Sequence, residues 1–283
     1  MGTVLLQEQG KLKFDDKVIQ HLPEFPYSNV TIRNLLNQTS GILEYENFLN
    51  KQFSKLEKNY KESGKIITNK DVYALYKKRK PKLEFTPNEK FSYSNTNYVF
   101  LAILIEKISG QTFANYMQTQ IFSPLQMNNT FVYNVLDTSN FSERALGYKL
   151  KIDGKNTEIN DNYLFINIVG DGGIYSTIDD LQKFIVAING NKIMSKENRR
   201  EAFSKPSLLH NEKGSYGFGW FIKTIPFNKH KAITHSGEFA GFSNAIFNDL
   251  DAQKSIILLS NNSSKYRAQL NSCLLYTSPS PRD

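Results

Sequence analysis

Two short segments of the chain carry side chains that could take part in acyl transfer. Phe91-Ser-Tyr-Ser-Asn-Thr-Asn-Tyr98 offers a phenol and carboxamides, and Thr234-His-Ser-Gly-Glu238 offers an imidazole beside a hydroxyl. Acyl transfer by a serine requires a deprotonated hydroxyl, a base within hydrogen-bond reach and donors aimed at the developing oxyanion. The glycine of the second segment would let a substrate backbone lie along the chain, because it has no side chain to block the approach.

Each segment also has a purely structural interpretation. The first could be an aromatic-rich turn whose serine and asparagine cap a helix, and a lone histidine such as His235 is more often structural than catalytic. A third segment, Gly170-Asp-Gly-Gly173, is glycine-rich like a phosphate-binding loop. It lacks the Gly-x-x-x-x-Gly-Lys-Ser/Thr pattern and a preceding parallel βαβ unit, so we interpret it as a tight turn before a helix.

The elements that must position these segments are helical in the middle of the chain and stranded near its end. Apolar spacing and end signals predict a helix through Thr3–Gln9 that stops at Gly10, a short helix at Thr31–Leu36, and two or three helices within Phe48–Lys80. They also predict a helix at Val99–Ile108 with a shorter one after it. A further helix is predicted to begin at a capping box of Thr177 and Asp180 and to run through Ile188. Alternating or aromatic-rich runs predict antiparallel strands at Tyr216–Lys223, Lys231–His235, Phe242–Asn248 and Lys254–Ser260. The chain is therefore predicted to be α+β.

Composition narrows the function classes. The 283 residues, 40% of them hydrophobic, suffice for one large domain or two modest lobes. The sequence contains no run of eighteen apolar residues, so no membrane-spanning helix is predicted. The net charge of +8 comes from lysines spread along the chain without a recognised nucleic-acid motif, so we do not expect a nucleic-acid partner.

Cofactor and metal sites are also not expected. The single cysteine, Cys273, excludes an intrachain disulfide and a cysteine-based zinc site. The histidines show no ligand spacing with carboxylates or cysteines; they are His21, His210, His230 and His235.

Five motifs, taken in order, resemble those of the class C β-lactamase and penicillin-binding-protein superfamily, in its DD-peptidase and esterase branch. They are Leu35-Leu-x-x-Thr-Ser-Gly41, Pro87-x-Glu-x-Phe-x-Tyr-Ser-Asn-x-x-Tyr98, Gly172-Gly-x-x-Ser-Thr-x-x-Asp-Leu181, Tyr216-Gly-Phe-Gly-Trp220 and His235-Ser-Gly-x-x-x-Gly-Phe242. The resemblance covers roughly residues 3 to 262. It implies a β-lactamase/transpeptidase-like fold, an antiparallel sheet flanked by helices plus a helical lobe. We expect a discontinuous α/β lobe at 1–30 and 170–272, a mainly helical lobe at 31–169, and a cleft between them.

The resemblance also implies residue roles. In the family a Ser-x-x-Lys, a Tyr-x-Asn loop and a Lys/His-Thr/Ser-Gly strand meet in one cleft. Tyr93 would pass a proton to the leaving group, and Asn95 would hold the lysine and the substrate amide. His235 would face the substrate carboxylate or Tyr93, as a weaker anchor than lysine because imidazole is only partly charged near neutrality. The backbone N–H of Glu238 would be an oxyanion donor. The strand motif is matched by His235, Ser236 and Gly237.

The strand motif bears on the substrate as well. His-Ser-Gly in place of Lys-Thr-Gly resembles the DD-peptidase, D-amino-peptidase and esterase branches, and the charge of Glu238 disfavours anionic penicillins. The resemblance therefore implies a serine hydrolase that forms an acyl-enzyme on small esters, D-amino-acid peptides or β-lactams. Its partner would be a small-molecule or peptidoglycan-derived substrate. The resemblance also implies an extracytoplasmic location, either periplasmic or secreted.

The Ser-x-x-Lys segment itself is missing. No serine is followed three residues later by lysine, and there is no Gly-x-Ser-x-Gly elbow. We expect the chain to be N-terminally truncated and inactive as it stands, with an incomplete sheet and with the nucleophile preceding Met1. The stretch from Cys273 to Asp283 resembles a translated sequencing-adapter tail, and we expect it to be non-native.

Two alternatives remain open. The chain could be a non-catalytic peptidoglycan-binding or sensor member of the same fold. The motifs could also coincide by chance in an unrelated mixed domain, in which case Tyr93 and His235 would lie far apart.

Overall fold

A computed structural model describes residues 1–47, 66–135, 144–151, 157–160, 165–209 and 214–262. The predicted helices between 48 and 65, His210 and the tail from 273 lie outside the described residues. The helices are α1 Gly2–Glu8, α2 Val18–His21, α3 Ile32–Leu36, α4 Asn69–Arg79, α5 Asn95–Ser109, α6 Phe113–Met117 continued by a π-helical turn Gln118–Phe122, α7 Ile178–Asn189 and α8 Lys196–Ala202. No helix among the described residues combines the length and apolarity needed to cross a bilayer.

The described strands form three antiparallel sheets. They are β1 Phe131–Val132, β2 Tyr148–Leu150, β3 Thr157–Ile159, β4 Ile174–Tyr175, β5 Phe221–Thr224, β6 Lys231–Phe239, β7 Phe242–Asp249 and β8 Lys254–Ser260. β1 pairs with β4, β2 pairs with β3, and the third sheet has the order β5-β6-β7-β8. The predicted α+β class with antiparallel strands is confirmed.

The core is built around α5. Its apolar residues from Val99 to Ile105 are almost all buried, and α1 to α4 pack against the same hydrophobic cluster. Glycine ends both α1 and α5 as predicted: Gly10 has φ +68° and Gly110 has φ +71°, values that L-residues with side chains rarely adopt.

The start of α5 differs from the prediction. The sequence places Phe91–Tyr98 in a loop, but the helix already begins at Asn95. Within the described residues, the Ser94 hydroxyl does not cap the helix; it donates to the Leu43 carbonyl at 3.3 Å. The local capping interpretation is therefore wrong, because acceptors distant in the sequence satisfy the first N–H groups.

The α7 capping box is only half present. The Thr177 hydroxyl accepts the Asp180 N–H at 3.3 Å, as predicted. The Asp180 carboxylate does not complete the box by turning back to Thr177. It accepts the Asn129 N–H at 2.8 Å and the Thr130 hydroxyl at 2.9 Å, so it ties α7 to the preceding loop.

Two strand boundaries also need correction. β5 begins at Phe221, not at Tyr216, because the preceding residues form a turn: the Gly217 N–H donates to the Trp220 carbonyl at 2.8 Å and Gly219 has φ +89°. β6 continues past His235 to Phe239. It turns into β7 through Ala240 and Gly241, both at positive φ, as a type I′ hairpin turn requires.

Candidate active site

The Leu35–Gly41 motif and the residues after it form a template for the Tyr93–Asn95 segment. The Gln38 and Thr39 carbonyls accept the Ser92 and Asn88 N–H groups at 3.0 and 2.8 Å. Gly41 is needed here, because it has φ +74° and a Cβ would lie 2.5 Å from the Phe85 carbonyl oxygen. The motif therefore holds the segment that carries the candidate catalytic residues.

Side chains of the same template reach the N-terminus of α5. The Gln38 Oε1 accepts the Ser94 N–H at 3.0 Å and the Asn97 Nδ2 at 2.5 Å, and the Glu44 Oε2 accepts the Asn95 N–H at 2.6 Å. Asn95 is the first residue of α5, so Glu44 supplies an acceptor for one of the N–H groups that a helix leaves unsatisfied. The carboxylate also suits the positive end of the helix dipole.

Tyr93 lies at the protein surface, with 38% of its area exposed. Its ring stacks on Phe221 at 6.3 Å between centroids and meets Tyr216 edge-on at 5.7 Å. Its centroid is 6.1 Å from that of His235. The structure thus brings the loop and strand motifs together, which contradicts the interpretation that they belong to an unrelated domain by coincidence.

Tyr216 contacts both the Tyr93 loop motif and the His235 strand motif. It is 1% exposed, and its hydroxyl is 2.9 Å from the His235 Nε2. Burial, followed by the neighbouring hydroxyls of Tyr98 and Tyr93, raises the pKa of Tyr216 well above its ordinary value. Tyr216 therefore keeps its proton at neutral pH, while the sequence had marked it only as part of the Tyr-Gly-Phe-Gly-Trp motif.

The rest of the strand motif follows along β6. β5 pairs with β6 only over Lys231–Thr234, whereas β7 pairs with it as far as Phe239. Gly237 and Glu238 are exposed, and a Cβ at Gly237 would have no described heavy atom within 4 Å. Ser236 lies between them and His235 in the same strand.

Carboxylates surround this site. Burial first, and then Glu46 and Asp171, raise the pKa of Glu44 to about 7. Burial is the main cause that raises the pKa of Asp171 to about 6, although the Tyr45 hydroxyl donates to its Oδ2 at 3.1 Å. Burial and then the charges of Asp171 and Glu44 raise the pKa of Tyr93 to about 12, so that the phenol is protonated at neutral pH.

Asp171 reaches the cleft because of the glycine-rich turn. A Cβ at Gly170, which has φ +105°, would lie 2.5 Å from the Tyr98 carbonyl oxygen of α5. Only glycine permits this approach, which brings the next residue beside Tyr45. The segment interpreted as a tight turn thus also contributes an acid that sequence reasoning missed.

One group of possible metal ligands lies away from the cleft. His230, Asp249 and Asp251 place ligand atoms within 4.8 Å of one another, a grouping the sequence spacing did not reveal. Their atoms already bond within the turns: His230 Nδ1 is 3.0 Å from Asp249 Oδ2, and Asp251 Oδ2 accepts the Lys231 N–H at 2.6 Å. These hydrogen bonds connect the turn before β6 to the turn after β7, and this structural role accounts for the cluster.

Comparison with known proteins gives a consistent result. A family model described as Beta-lactamase matches residues 2–272. The chain is 37% identical over 269 residues to penicillin-binding protein 4* of Bacillus subtilis (strain 168), covering 92% of this chain and 58% of the relative. It thus spans little more than half the length of that curated relative.

Solved structures share the fold. A penicillin-binding protein from Bacillus halodurans superposes with a TM-score of 0.80 at 24% identity, covering 97% of this chain and 81% of the other. A D-stereospecific amidohydrolase from Streptomyces sp. superposes with a TM-score of 0.75 at 25% identity, covering 92% of this chain and 78% of the other. The β-lactamase/transpeptidase-like fold predicted from the motifs is confirmed.

Proposed function

This chain belongs to the Beta-lactamase family, and on that premise we propose that its cleft is the acyl-transfer site of a serine hydrolase. The observation that carries the proposal is the meeting of Tyr93 with His235, two residues far apart in the sequence, over the shared partner Tyr216. A phenol beside an imidazole on an open strand is an arrangement suited to moving a proton during acyl transfer.

The proposed roles are those that the resemblance implies, and the geometry supports them. Tyr93 is protonated at neutral pH and would donate to the leaving group. Asn95 starts α5, where its carboxamide can bind the substrate amide. His235 is held by Tyr216 and would orient the substrate carboxylate or the Tyr93 phenol.

The substrate backbone would lie along β6 beyond the last residue paired with β5. Gly237 leaves open space on this strand, and the neighbouring N–H of Glu238 would be the oxyanion donor. We place this cleft between a helical lobe at 31–169 and an α/β lobe formed by 1–30 and 170–272.

Small esters, D-amino-acid peptides or amides, and β-lactams are the proposed substrates. Similarity to a penicillin-binding protein and to a D-stereospecific amidohydrolase supports this class. Within it, the exposed carboxylate of Glu238 favours the esters and D-amino-acid substrates, because it disfavours anionic penicillins. We also propose a peptidoglycan-derived substrate and an extracytoplasmic location, which the resemblance of the motifs implies.

We propose further that the 283 residues alone do not turn over substrate. They contain no Ser-x-x-Lys, and burial, followed by the charges of Asp171 and Glu44, raises the pKa of Tyr93 so that it keeps its proton. The same observation favours a second candidate, a binding or sensor protein that keeps the pocket for recognition of peptidoglycan fragments.

Binding and turnover assays separate these proposals. D-Phenylalanine amide should shift the amide resonances of Gly237 and Glu238 in nitrogen-15 spectra, L-phenylalanine amide should do so more weakly, and Gly237→Val should abolish the shift by filling the open space. The chain should not hydrolyse p-nitrophenyl acetate. Hydrolysis that Ser236→Ala or Ser176→Ala abolishes would show that the nucleophile lies within these residues.

Sequencing of the gene upstream of the Met1 codon separates the enzyme from the binding protein. A chain extended by that sequence should hydrolyse the ester or the D-amide if an intact Ser-x-x-Lys is encoded there. An extended chain that has the motif and binds the amide without hydrolysing it would contradict the hydrolase proposal.

A further inference from the structure

Gln38 lies outside the segment that carries Tyr93 and Asn95 and bonds to it on both sides of Tyr93. Gln38 is fully buried and has φ +60°, an uncommon backbone conformation for a residue with a side chain. Its backbone carbonyl accepts the Ser92 N–H at 3.0 Å, and its side-chain Oε1 accepts the Ser94 N–H at 3.0 Å. The two acceptors therefore grip the backbone on either side of Tyr93.

A third bond fixes the first turn of α5 to the same oxygen. The Asn97 Nδ2 donates to the Gln38 Oε1 at 2.5 Å, and the Asn97 Oδ1 accepts the Ser40 hydroxyl at 2.6 Å. Asn97 is fully buried, so its carboxamide cannot exchange these partners for bulk water. Its side chain thus connects Gln38 to the helix turn that begins with Asn95.

We infer that Gln38 is a positioning residue that sets the place of Tyr93 and Asn95 in the cleft, an inference that rests on the proposed function only for its effect on substrate. The strained backbone conformation fits this role, because strain of this kind persists only where surrounding contacts fix it. Those contacts are the bonds to the candidate catalytic segment.

The side chain acts through its oxygen. The Gln38 Nε2 is buried and has no hydrogen-bond partner among the described residues, whereas the Oε1 has two donors. A residue that keeps the oxygen and lacks the amide nitrogen should therefore do the same work. A residue of the same length without an acceptor should leave the Ser94 N–H and the Asn97 amide buried and unsatisfied.

Gln38→Met and Gln38→Glu test this distinction in the 283-residue chain, with amide hydrogen exchange as the readout. Gln38→Met should speed exchange of the Ser94 amide about tenfold, the effect of one lost hydrogen bond. The Ser92 amide should keep its protection, because its acceptor is the backbone carbonyl that methionine retains. At pH 5, where burial keeps the new carboxyl protonated, Gln38→Glu should restore the protection of Ser94 to within about threefold of the wild type.

Ligand binding provides the functional readout. In Gln38→Met, the affinity for D-phenylalanine amide should fall about fivefold or more, and Gln38→Glu should recover most of it. If the amide binds none of these proteins, the proposed function loses its support, while exchange at Ser94 still judges the role of Gln38.

Three results would overturn the inference. One is unchanged Ser94 exchange in Gln38→Met, and another is equal acceleration of the Ile185 amide in α7, which would indicate general destabilisation. If Gln38→Met does not fold, Gln38→Asn replaces it, since its carbonyl is one methylene too short to reach Ser94. The third result is that Gln38→Glu folds while neither Gln38→Met nor Gln38→Asn does, because Gln38 would then be needed for folding and not for positioning.

Discussion

Glu44→Gln tests the electrostatics of the candidate site most directly. The Oε2 of Glu44 accepts the Asn95 N–H, but its Oε1 is buried and has no hydrogen-bond partner among the described residues. Burial makes the ionised form costly, and the hydrogen bonds from the Asn95 and Glu46 N–H groups offset this cost only in part. Glutamine can still accept the Asn95 N–H with its amide oxygen and carries no charge, so we expect the variant to be more stable than the wild type at neutral and alkaline pH.

The direction of the pH dependence follows from the raised pKa. Burial raises the pKa of Glu44 from 4.5 to about 7 in the folded state. Between these values the folded protein holds a proton that the unfolded chain has released, so the wild type loses stability as the pH rises from about 4.5 through 7. A shift of this size corresponds to about 3 kcal/mol, and solvent screening of this half-buried group reduces the expected effect to roughly 1–2 kcal/mol.

Urea unfolding at pH 5, 6, 7 and 8 measures the effect. The free energy of unfolding of Glu44→Gln should match that of the wild type near pH 5 and exceed it by roughly 1–2 kcal/mol at pH 8. Glu197→Gln, at an exposed position in α8, is the control and should show no such divergence. Parallel pH profiles for Glu44→Gln and wild type would refute the reasoning, and so would a variant that is less stable at pH 8.

Three further predictions concern single contacts. Tyr216→Phe should cost about 1–2 kcal/mol in urea unfolding and change the Nε2 nitrogen-15 shift of His235, because it removes the hydroxyl 2.9 Å away; an unchanged shift would contradict the bond. Gly41→Ala should lower the free energy of unfolding by about 3 kcal/mol or more, because the residue has positive φ and the new Cβ would clash with the backbone. Gly10→Ala should lower it by only about 1 kcal/mol, because Gly10 also has positive φ but has open space among the described atoms. Burial alone would raise the pKa of Asp180, but its hydrogen bonds, of which that from Lys183 is the largest, lower it. The stability that Asp180 contributes should therefore persist above about pH 4 and be lost as the pH falls further. Asp180→Asn should flatten this part of an acid-unfolding curve.

The sequence predicted what local signals specify. Apolar spacing located the buried helix at Val99–Ile108, and glycine marked its end at Gly110, because both depend on neighbours within a turn. The four residues before that helix were assigned to a loop, since their stabilising acceptors, Gln38 and Glu44, come from another part of the chain. Propensity within a short window cannot register such partners.

The candidate site divides in the same way. The motifs brought Tyr93 and His235 forward as candidates, and the fold places them side by side. Tyr216, Glu44 and Asp171 were missed as members of the site because each enters through a tertiary contact, a buried hydroxyl or a raised carboxylate pKa. A motif names residues that share a pattern; burial and charge emerge only when the elements pack.

The charges around Tyr93 set a condition for base chemistry in this cleft. Glu44 and Asp171 favour the protonated phenol, and a cation close to the Tyr93 hydroxyl would act in the opposite direction. A lysine placed there, as in a Ser-x-x-Lys, would itself be held as ammonium by the same carboxylates. With that ammonium beside it, Tyr93 would lose the proton it holds in this chain, accept the serine proton as a phenolate, and then donate it to the leaving group as proposed above. Glu44→Gln in a chain with that lysine should lower the pKa of both the phenol and the ammonium, so the acid limb of the pH–rate profile should move to lower pH; an unmoved acid limb would contradict this electrostatic reasoning.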